Sequence, residues 1–416
     1  MFFRLFTLGC KVNQYETEYI RTSLLQLGYM ESLPEHPADL VVVNTCTVTA
    51  ESETKGRKAI RKLIRENPNA EVVVMGCSAT HNSKSLLNID GVSKIISQKQ
   101  DIPDFLRSLG LTELPNGIQH FGERHRAYVK VQDGCRIGCS YCIIPKVRPT
   151  LQSRSENNVL EEIKTLSQNG YHEIVLTGIH LGHYGVDFHN SDKNLATLVR
   201  RIVEMQEPFR LRLSSLEAVE VSDELVDLML QYPQRICPHL HLSMQSGSDE
   251  VLRRMHRRWL AEPFIRRCEE ITARFDRLAL TTDVIVGFPG ETDEQFEETC
   301  RVVERLRFSK IHIFRFSPRQ GTEAATFSDS IPPPLQRIRA ARLAEIAKRL
   351  RINYATTLVG TTLTVLIETI HGGTADRYLN VRFQKTVDPK IIGQIREVRI
   401  AHALGETLIC NIDNDE

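Results

Sequence analysis

The sequence predicts an α/β protein in three parts. These are a doubly wound parallel α/β domain, a partial (β/α)6 barrel and a small antiparallel β-barrel of OB-like type. Three observations predict it. Short apolar runs alternate with stretches of helical periodicity as far as Phe314. Cysteines recur just past the ends of those runs. Beyond Gly360 the text changes to short β-branched runs separated by turns.

The first part spans residues 1–118. Leu5 to Leu8 reads as a strand, and Glu16 to Leu27 as a helix with Ile20, Leu24 and Leu27 at helical spacing. Leu40 to Val43 is a near-continuous apolar strand, as a buried parallel sheet requires. Glu51 to Asn67 is a charged helix ended by Pro68, and Val72 to Met75 a third strand. Cys10, Cys46 and Cys77 lie just past the three strands, on the sheet edge where ligands gather. They are expected to converge on one cluster site; separately, each would read as a small core hydrophobe. Asn13, Gln14, Asn44 and Thr45 surround that edge, as sulfur hydrogen-bond partners or ordinary caps.

Pro115 to Arg126 is polar and turn-rich, a linker. The second part, residues 121–351, holds six strands: Ala127–Val131, Glu173–Leu176, Arg210–Leu213, His239–Leu242, Leu278–Val286 and Lys310–Phe314. Helices such as Glu156–Gln168, Ser222–Gln231, Pro263–Arg274 and Asp293–Leu306 separate them. In such a barrel, chemistry sits at the C-terminal strand ends.

Cys135, Cys139 and Cys142 follow the first of these strands at C-x3-C-x2-C spacing. Three thiolates in one tight loop suit an iron–sulfur cluster with one iron left free. A zinc knuckle or three buried thiols are the alternatives, although no second C-x2-C half follows. Four other strand ends carry ligand-type text, with Thr177 and Gly178, Ser214 and Glu217, Gln245 and Ser246, and Gly287. Hydroxyls, amides and exposed backbone on one rim can hold a polar cofactor, although a Gly after a strand is commonly just a turn. His180, His183 and Tyr184 stand nearby, and Arg258, beside Trp259, can meet a carboxylate. Cys237, Cys268, Cys300 and Cys410 lack partners at metal spacing and read as structural.

Composition narrows the classes. The chain has 416 residues, 41% hydrophobic and 25% charged, with a formal net charge of +1, so any nucleic-acid surface must be local. Ten cysteines suggest metal or redox chemistry in a reducing compartment, not a disulfide framework. No run approaches membrane-spanning length, and the apolar start reads as a strand rather than a signal peptide. A cytoplasmic protein is expected.

Basic text gathers at Arg253 to Arg258 and on a helix from Leu335 to Arg351, which more commonly means a solvated face. The third part, residues 352–416, has strands at Thr361–Glu368, Tyr378–Phe383, Ile391–Ile400 and Glu406–Ile412, with a turn at His371-Gly372-Gly373. Arg377, Tyr378, Arg382 and Arg399 supply the basic and aromatic side chains with which such barrels bind single-stranded nucleic acid. A structural cap is the alternative.

Read together, these motifs resemble the radical S-adenosylmethionine (SAM) methylthiotransferase family over essentially the whole chain. The resemblance rests on Thr7 to Gln14, Val42 to Thr49, Gln132 to Cys135, Ser140 to Pro145, Arg212 to Glu217 and His239 to Asp249. Within the family it is most similar to the branch acting on N6-threonylcarbamoyladenosine beside the tRNA anticodon. Two departures stand out: Arg136 where Asn is usual, and Pro149 where Gly is usual after Arg148.

The resemblance implies two 4Fe-4S clusters, one on Cys135, Cys139 and Cys142 and one on Cys10, Cys46 and Cys77. The first binds SAM and cleaves it to a 5′-deoxyadenosyl radical; the second holds or supplies the sulfur that becomes a 2-methylthio group. It further implies a C-terminal TRAM domain gripping the tRNA anticodon stem-loop, a sulfur donor, and an electron donor such as a flavodoxin or ferredoxin. Branches acting on isopentenyladenosine or on a ribosomal-protein aspartate share the six cysteines. A non-catalytic iron–sulfur RNA-binding protein is the alternative from another class.

Overall fold

The computed structural model describes residues 1–33, 35–122, 124–189 and 192–412. The N-terminal sheet consists of Phe2–Thr7, Met30–Glu31, Leu40–Thr45, Glu71–Gly76 and Lys94–Ile95, all parallel, with Phe2–Thr7 beside both Met30–Glu31 and Leu40–Thr45. Its apolar runs are unbroken because both faces are covered. Leu40 and Val42 pack with Ile20 and Leu24 on one side, whereas Val41 and Val43 pack with Ile60 and Leu63 on the other. Adjacent strand residues point to opposite faces, so neither parity can be polar.

The six central strands run Arg126–Asp133, Glu173–Gly178, Arg210–Leu213, His239–Leu242, Ala279–Val286 and Lys310–Arg315. They form two parallel groups of three joined where Leu211 bridges Ile236, an open version of the barrel the sequence predicts. Side-chain caps start the surrounding helices: Ser155 accepts from the Asn158 N–H, and Thr292 and Gln295 form a reciprocal capping box.

Two expectations need correcting. The stretch read as a linker is packed: Ile118 and Phe121 are buried in the main core, and the Tyr171 hydroxyl accepts from the Phe121 N–H at 2.7 Å. The turn at Gly372 and Gly373 belongs instead to a fifth strand, Gly372–Ala375. A Cβ on Gly372 would lie 2.2 Å from the Val381 carbonyl oxygen, and one on Gly373 1.9 Å from that of Leu366. Here glycine marks close strand approach.

That strand completes a closed barrel with Thr362–Thr369, Asn380–Phe383, Ile395–Leu404 and Thr407–Cys410. A long helix, Pro333–Thr357, ties the two barrels together. Leu343, Ile346 and Leu350 enter the central core, and Ala355 near its end enters the small barrel's core. The small barrel docks at the N-terminal end of the central strands. There the buried Glu173 meets Arg126, Arg210 and Arg212, and the latter two reach on to the carbonyls of Thr364, Thr374, Ala375 and Asp376. Among the described residues no helix is long and apolar enough to cross a membrane.

Candidate functional site

Each cysteine of the N-terminal triad is placed by a strand end. Cys10 caps the helix Lys11–Gln26, Cys46 follows Leu40–Thr45, and Cys77 opens the short helix Cys77–His81. The turn before Cys77 requires Gly76, whose φ is +99° and whose Cβ would stand 2.3 Å from the Thr45 carbonyl oxygen. Asn13 holds the edge together. Its amide donates to the Leu8 and Thr45 carbonyls, and its Oδ1 lies 3.8 Å from the Cys10 sulfur and 4.0 Å from that of Cys77. Asn44 donates to the Asn13 carbonyl and Thr45 to that of Met75, so both fix loops rather than face the sulfurs.

The second triad lies in the loop after Arg126–Asp133. The Cys142 N–H donates to the Cys139 carbonyl, and Ser140 bonds through N–H and hydroxyl to the Met255 and Arg254 carbonyls. Two polar side chains stand near its sulfurs: Arg257 Nη1 at 3.7 Å from Cys139, and His180 Nδ1 at 3.9 Å from Cys135. Arg257 also donates to Glu217 and the Ser243 carbonyl and packs on the Trp259 ring. Burial pushes the Glu217 carboxyl up to about 7 against the pull of Arg257.

Arg148 connects the triads. Its side chain is buried, with Nε 3.4 Å from the Cys77 sulfur, Nη1 donating to Glu16 and Asp133, and Nη2 to Asn13 and Glu16. Its carbonyl accepts from the Cys135 N–H at 3.4 Å. One residue thus touches an N-terminal cysteine, a helix of that domain and the central loop.

The donor chemistry fits metal–sulfur cores. All six thiols are free, and burial pushes Cys46 up to about 11 and Cys142 up to about 12, with Cys10 and Cys135 also raised. Thiols so buried ionise when a cation joins them, as metal coordination does outright. Arginine N–H groups near Cys77 and Cys139 suit sulfurs carrying negative charge.

A family model described as the radical SAM superfamily matches residues 129–303, and one described as uncharacterized protein family UPF0004 matches residues 3–97. The threonylcarbamoyladenosine tRNA methylthiotransferase MtaB of Chlamydia pneumoniae is 38% identical, covering 99% of this chain and 98% of that one. Its namesake in Thermotoga maritima is 36% identical, covering 99% and 97%. This chain belongs to the radical SAM methylthiotransferase family. The tRNA-2-methylthio-N(6)-dimethylallyladenosine synthase of Carboxydothermus hydrogenoformans is also similar, 30% identical over 88% of this chain and 87% of that one. Among solved structures, the radical S-adenosylmethionine methyltransferase TsrM of Kitasatospora setae superposes with a TM-score of 0.57 at 15% identity, over 78% and 75% of the chains. That likeness concerns the fold alone.

In this methylthiotransferase the other expected site residues divide. Gln245, in a left-handed conformation (φ +68°), lines an apolar cavity of about 210 Å³ beside Cys142, with Tyr141, Ile143, Ile285, Phe314 and Phe316. Ser214 lines an adjoining cavity inside the barrel, which shares Asp283 and Phe314 with the first. Thr177 is buried and Gly178 sits tight against Gln132. Ser246 is buried, and its hydroxyl lies 3.2 Å from that of Thr299. Gly287 packs under Gln336, and its N–H donates to Glu291.

Arg258 reaches Glu220 and is half-exposed, whereas its neighbour Arg257, expected only as part of the basic run, is the one that stands at the Cys139 sulfur. Arg377 bonds to the carbonyls of Arg277 and Asp276, and Tyr378 lies over Arg212 beside His239, so both face the central barrel. Arg382 and Arg399 are exposed on the small barrel.

Proposed function

We propose that this protein converts N6-threonylcarbamoyladenosine next to the tRNA anticodon into its 2-methylthio derivative, working in the cytoplasm. The observation that carries the reading is the pair of cysteine triads on two domains, bridged by the single buried Arg148. The names of the full-length relatives support the substrate. On this reading residues 1–118 form the methylthiotransferase domain, 121–351 the radical SAM core and 352–416 a TRAM domain.

Cys135, Cys139 and Cys142 would hold one 4Fe-4S cluster and Cys10, Cys46 and Cys77 a second; with SAM these groups supply one-electron cleavage, hydrogen abstraction and sulfur. The chain's own residues orient and shield. The apolar cavity beside Cys142 suits the nucleoside ring of SAM, with Tyr141 and Phe314 excluding water. Arg257 sets positive charge beside Cys139 and holds Glu217, whose carboxylate would accept from the ammonium of SAM. Arg148 does for Cys77 what Arg257 does for Cys139. Arg382 and Arg399 would contact phosphates of the anticodon stem-loop, while the target base is splayed out for chemistry. A flavodoxin or ferredoxin would supply electrons, and a separate donor the sulfur.

The test is nucleoside mass spectrometry of tRNA from a host lacking the gene. Loss of 2-methylthio-N6-threonylcarbamoyladenosine, restored by the intact gene but not by Cys139→Ala, is expected. Unchanged tRNA would overturn the reading. In the purified protein Cys139→Ala should abolish SAM cleavage, whereas Cys46→Ala should retain cleavage and lose methylthiolation.

A further inference from the structure

The central barrel is hollow and polar. A cavity of about 540 Å³ runs from Gly9 and Cys10 at the C-terminal strand ends to Arg212, His239 and Tyr378 at the opposite end. Lys11 enters it from the N-terminal domain and Lys310 from the first residue of the last central strand. Neither lysine forms an ion pair among the described residues. Asp283 lines the same cavity, with His241 Nε2 3.2 Å from its carboxylate and His312 close by.

The wall also carries polar atoms that lack hydrogen-bond partners among the described residues. These are Gln14 Oε1, Ser214 Oγ and His239 Nδ1. A buried polar atom left unpaired is costly, and a polar ligand entering the lumen would supply these atoms with partners. Two ammonium groups beside the His241–Asp283–His312 cluster disfavour a metal ion there. Burial pushes the His239 imidazole well down and that of His312 down to about 4. Burial would raise Asp283, but its histidine partners hold it below the ordinary value, so it stays an acceptor.

We infer that this lumen is the binding site for the N6 substituent of the target base, with Lys310 and Lys11 pairing with its carboxylate. Resting on the function proposed above, the inference adds how that base is chosen. A threonylcarbamoyl group carries a carboxylate, a hydroxyl and an N–H. Lys310 and Lys11 match the first, and Asp283 accepts from the others. Cys10 at the mouth keeps the ring near the N-terminal triad while the substituent extends inward. A dimethylallyl group would leave Lys310 and Lys11 without an ion-pair partner, the kind of mismatch that discriminates strongly.

The test uses the cluster-loaded protein under anaerobic conditions and three synthetic anticodon stem-loops. They carry threonylcarbamoyladenosine, its methyl ester, or dimethylallyladenosine. Equilibrium binding is read by fluorescence anisotropy. The acid should bind roughly 10- to 100-fold more tightly than the ester, the range expected for charged hydrogen bonds. Lys310→Met and Lys11→Met should each erode that preference while binding unmodified stem-loop as before. Equal binding of acid and ester by the natural protein, or an undiminished preference in both variants, would overturn the inference. If a variant loses unmodified RNA as well, the acid–ester comparison in the natural protein decides. Methylthiolation of the acid stem-loop, followed separately, distinguishes the two failures. Turnover without carboxylate preference sinks only the lumen assignment, and absence of turnover sinks the proposed function.

Discussion

Replacing Glu173 with Gln should loosen the small barrel from the central one before it unfolds either. Glu173 is fully buried and accepts from Arg210 Nε at 2.7 Å and from Arg212 Nε at 3.0 Å, with Arg126 Nη1 at 3.5 Å. Glutamine keeps the shape but removes the charge and turns one acceptor into a donor facing guanidinium. Arg126 retains Glu368, whereas Arg210 and Arg212 keep only carbonyl and hydroxyl partners on the small barrel. Removing one partner of a buried ion pair costs about 3–5 kcal/mol. At the middle of that range the docking equilibrium shifts roughly a thousandfold. Hydrogen exchange should report it as lost protection along Thr362–Thr369 and Gly372–Ala375, with central strands little changed.

The pH dependence follows with a definite sign. Burial opposes the charge of Glu173, but Arg212, Arg210 and Arg126 hold its carboxyl well below the usual range. Its contribution is therefore full above the ordinary glutamate value of about 4.3 and lost only as pH falls through the lower folded value. The natural protein and the variant should differ equally from pH 6 to pH 9. Unchanged protection in the variant, or a difference that vanishes toward pH 9, would refute the ion-pair argument.

Other outcomes follow from the same geometry. Arg148→Met should lower iron bound at the N-terminal triad while sparing the Cys135 triad, because it strips positive charge from Cys77 and unties Glu16 from Asp133; iron assays in a Cys135→Ala, Cys139→Ala, Cys142→Ala background isolate the effect. In metal-free protein, alkylation of Cys46 should quicken about tenfold per pH unit until about pH 11, since burial keeps the thiol protonated and only thiolate reacts. A plateau near pH 8.5 would contradict that. Arg382→Gln and Arg399→Gln should each weaken stem-loop binding across sequences and lower its salt slope by about 1; titrations at several salt concentrations check this.

The sequence by itself determined the architecture. Apolar runs such as Leu40 to Val43 name buried parallel strands because both faces need side chains, and local spacing puts six cysteines at strand ends. Those signals live within a few residues of each other, where periodicity constrains them. It missed the strand Gly372–Ala375, because glycine admitted for close strand approach reads the same as glycine admitted for a turn. It also marked Arg258 instead of Arg257, since adjacent residues on a loop differ only in where the backbone aims them.

Only the tertiary structure decided the long-range pairings. Arg148 meets Cys77, 71 residues away, and Tyr378 turns inward onto Arg212 at the barrel cavity. A guanidinium or a ring on a mobile stem finds its partner by domain docking, which no local pattern encodes. The same holds for the barrel lumen. Lys11 and Lys310 are unremarkable text, 299 residues apart, and become a pair only when two domains close around one cavity.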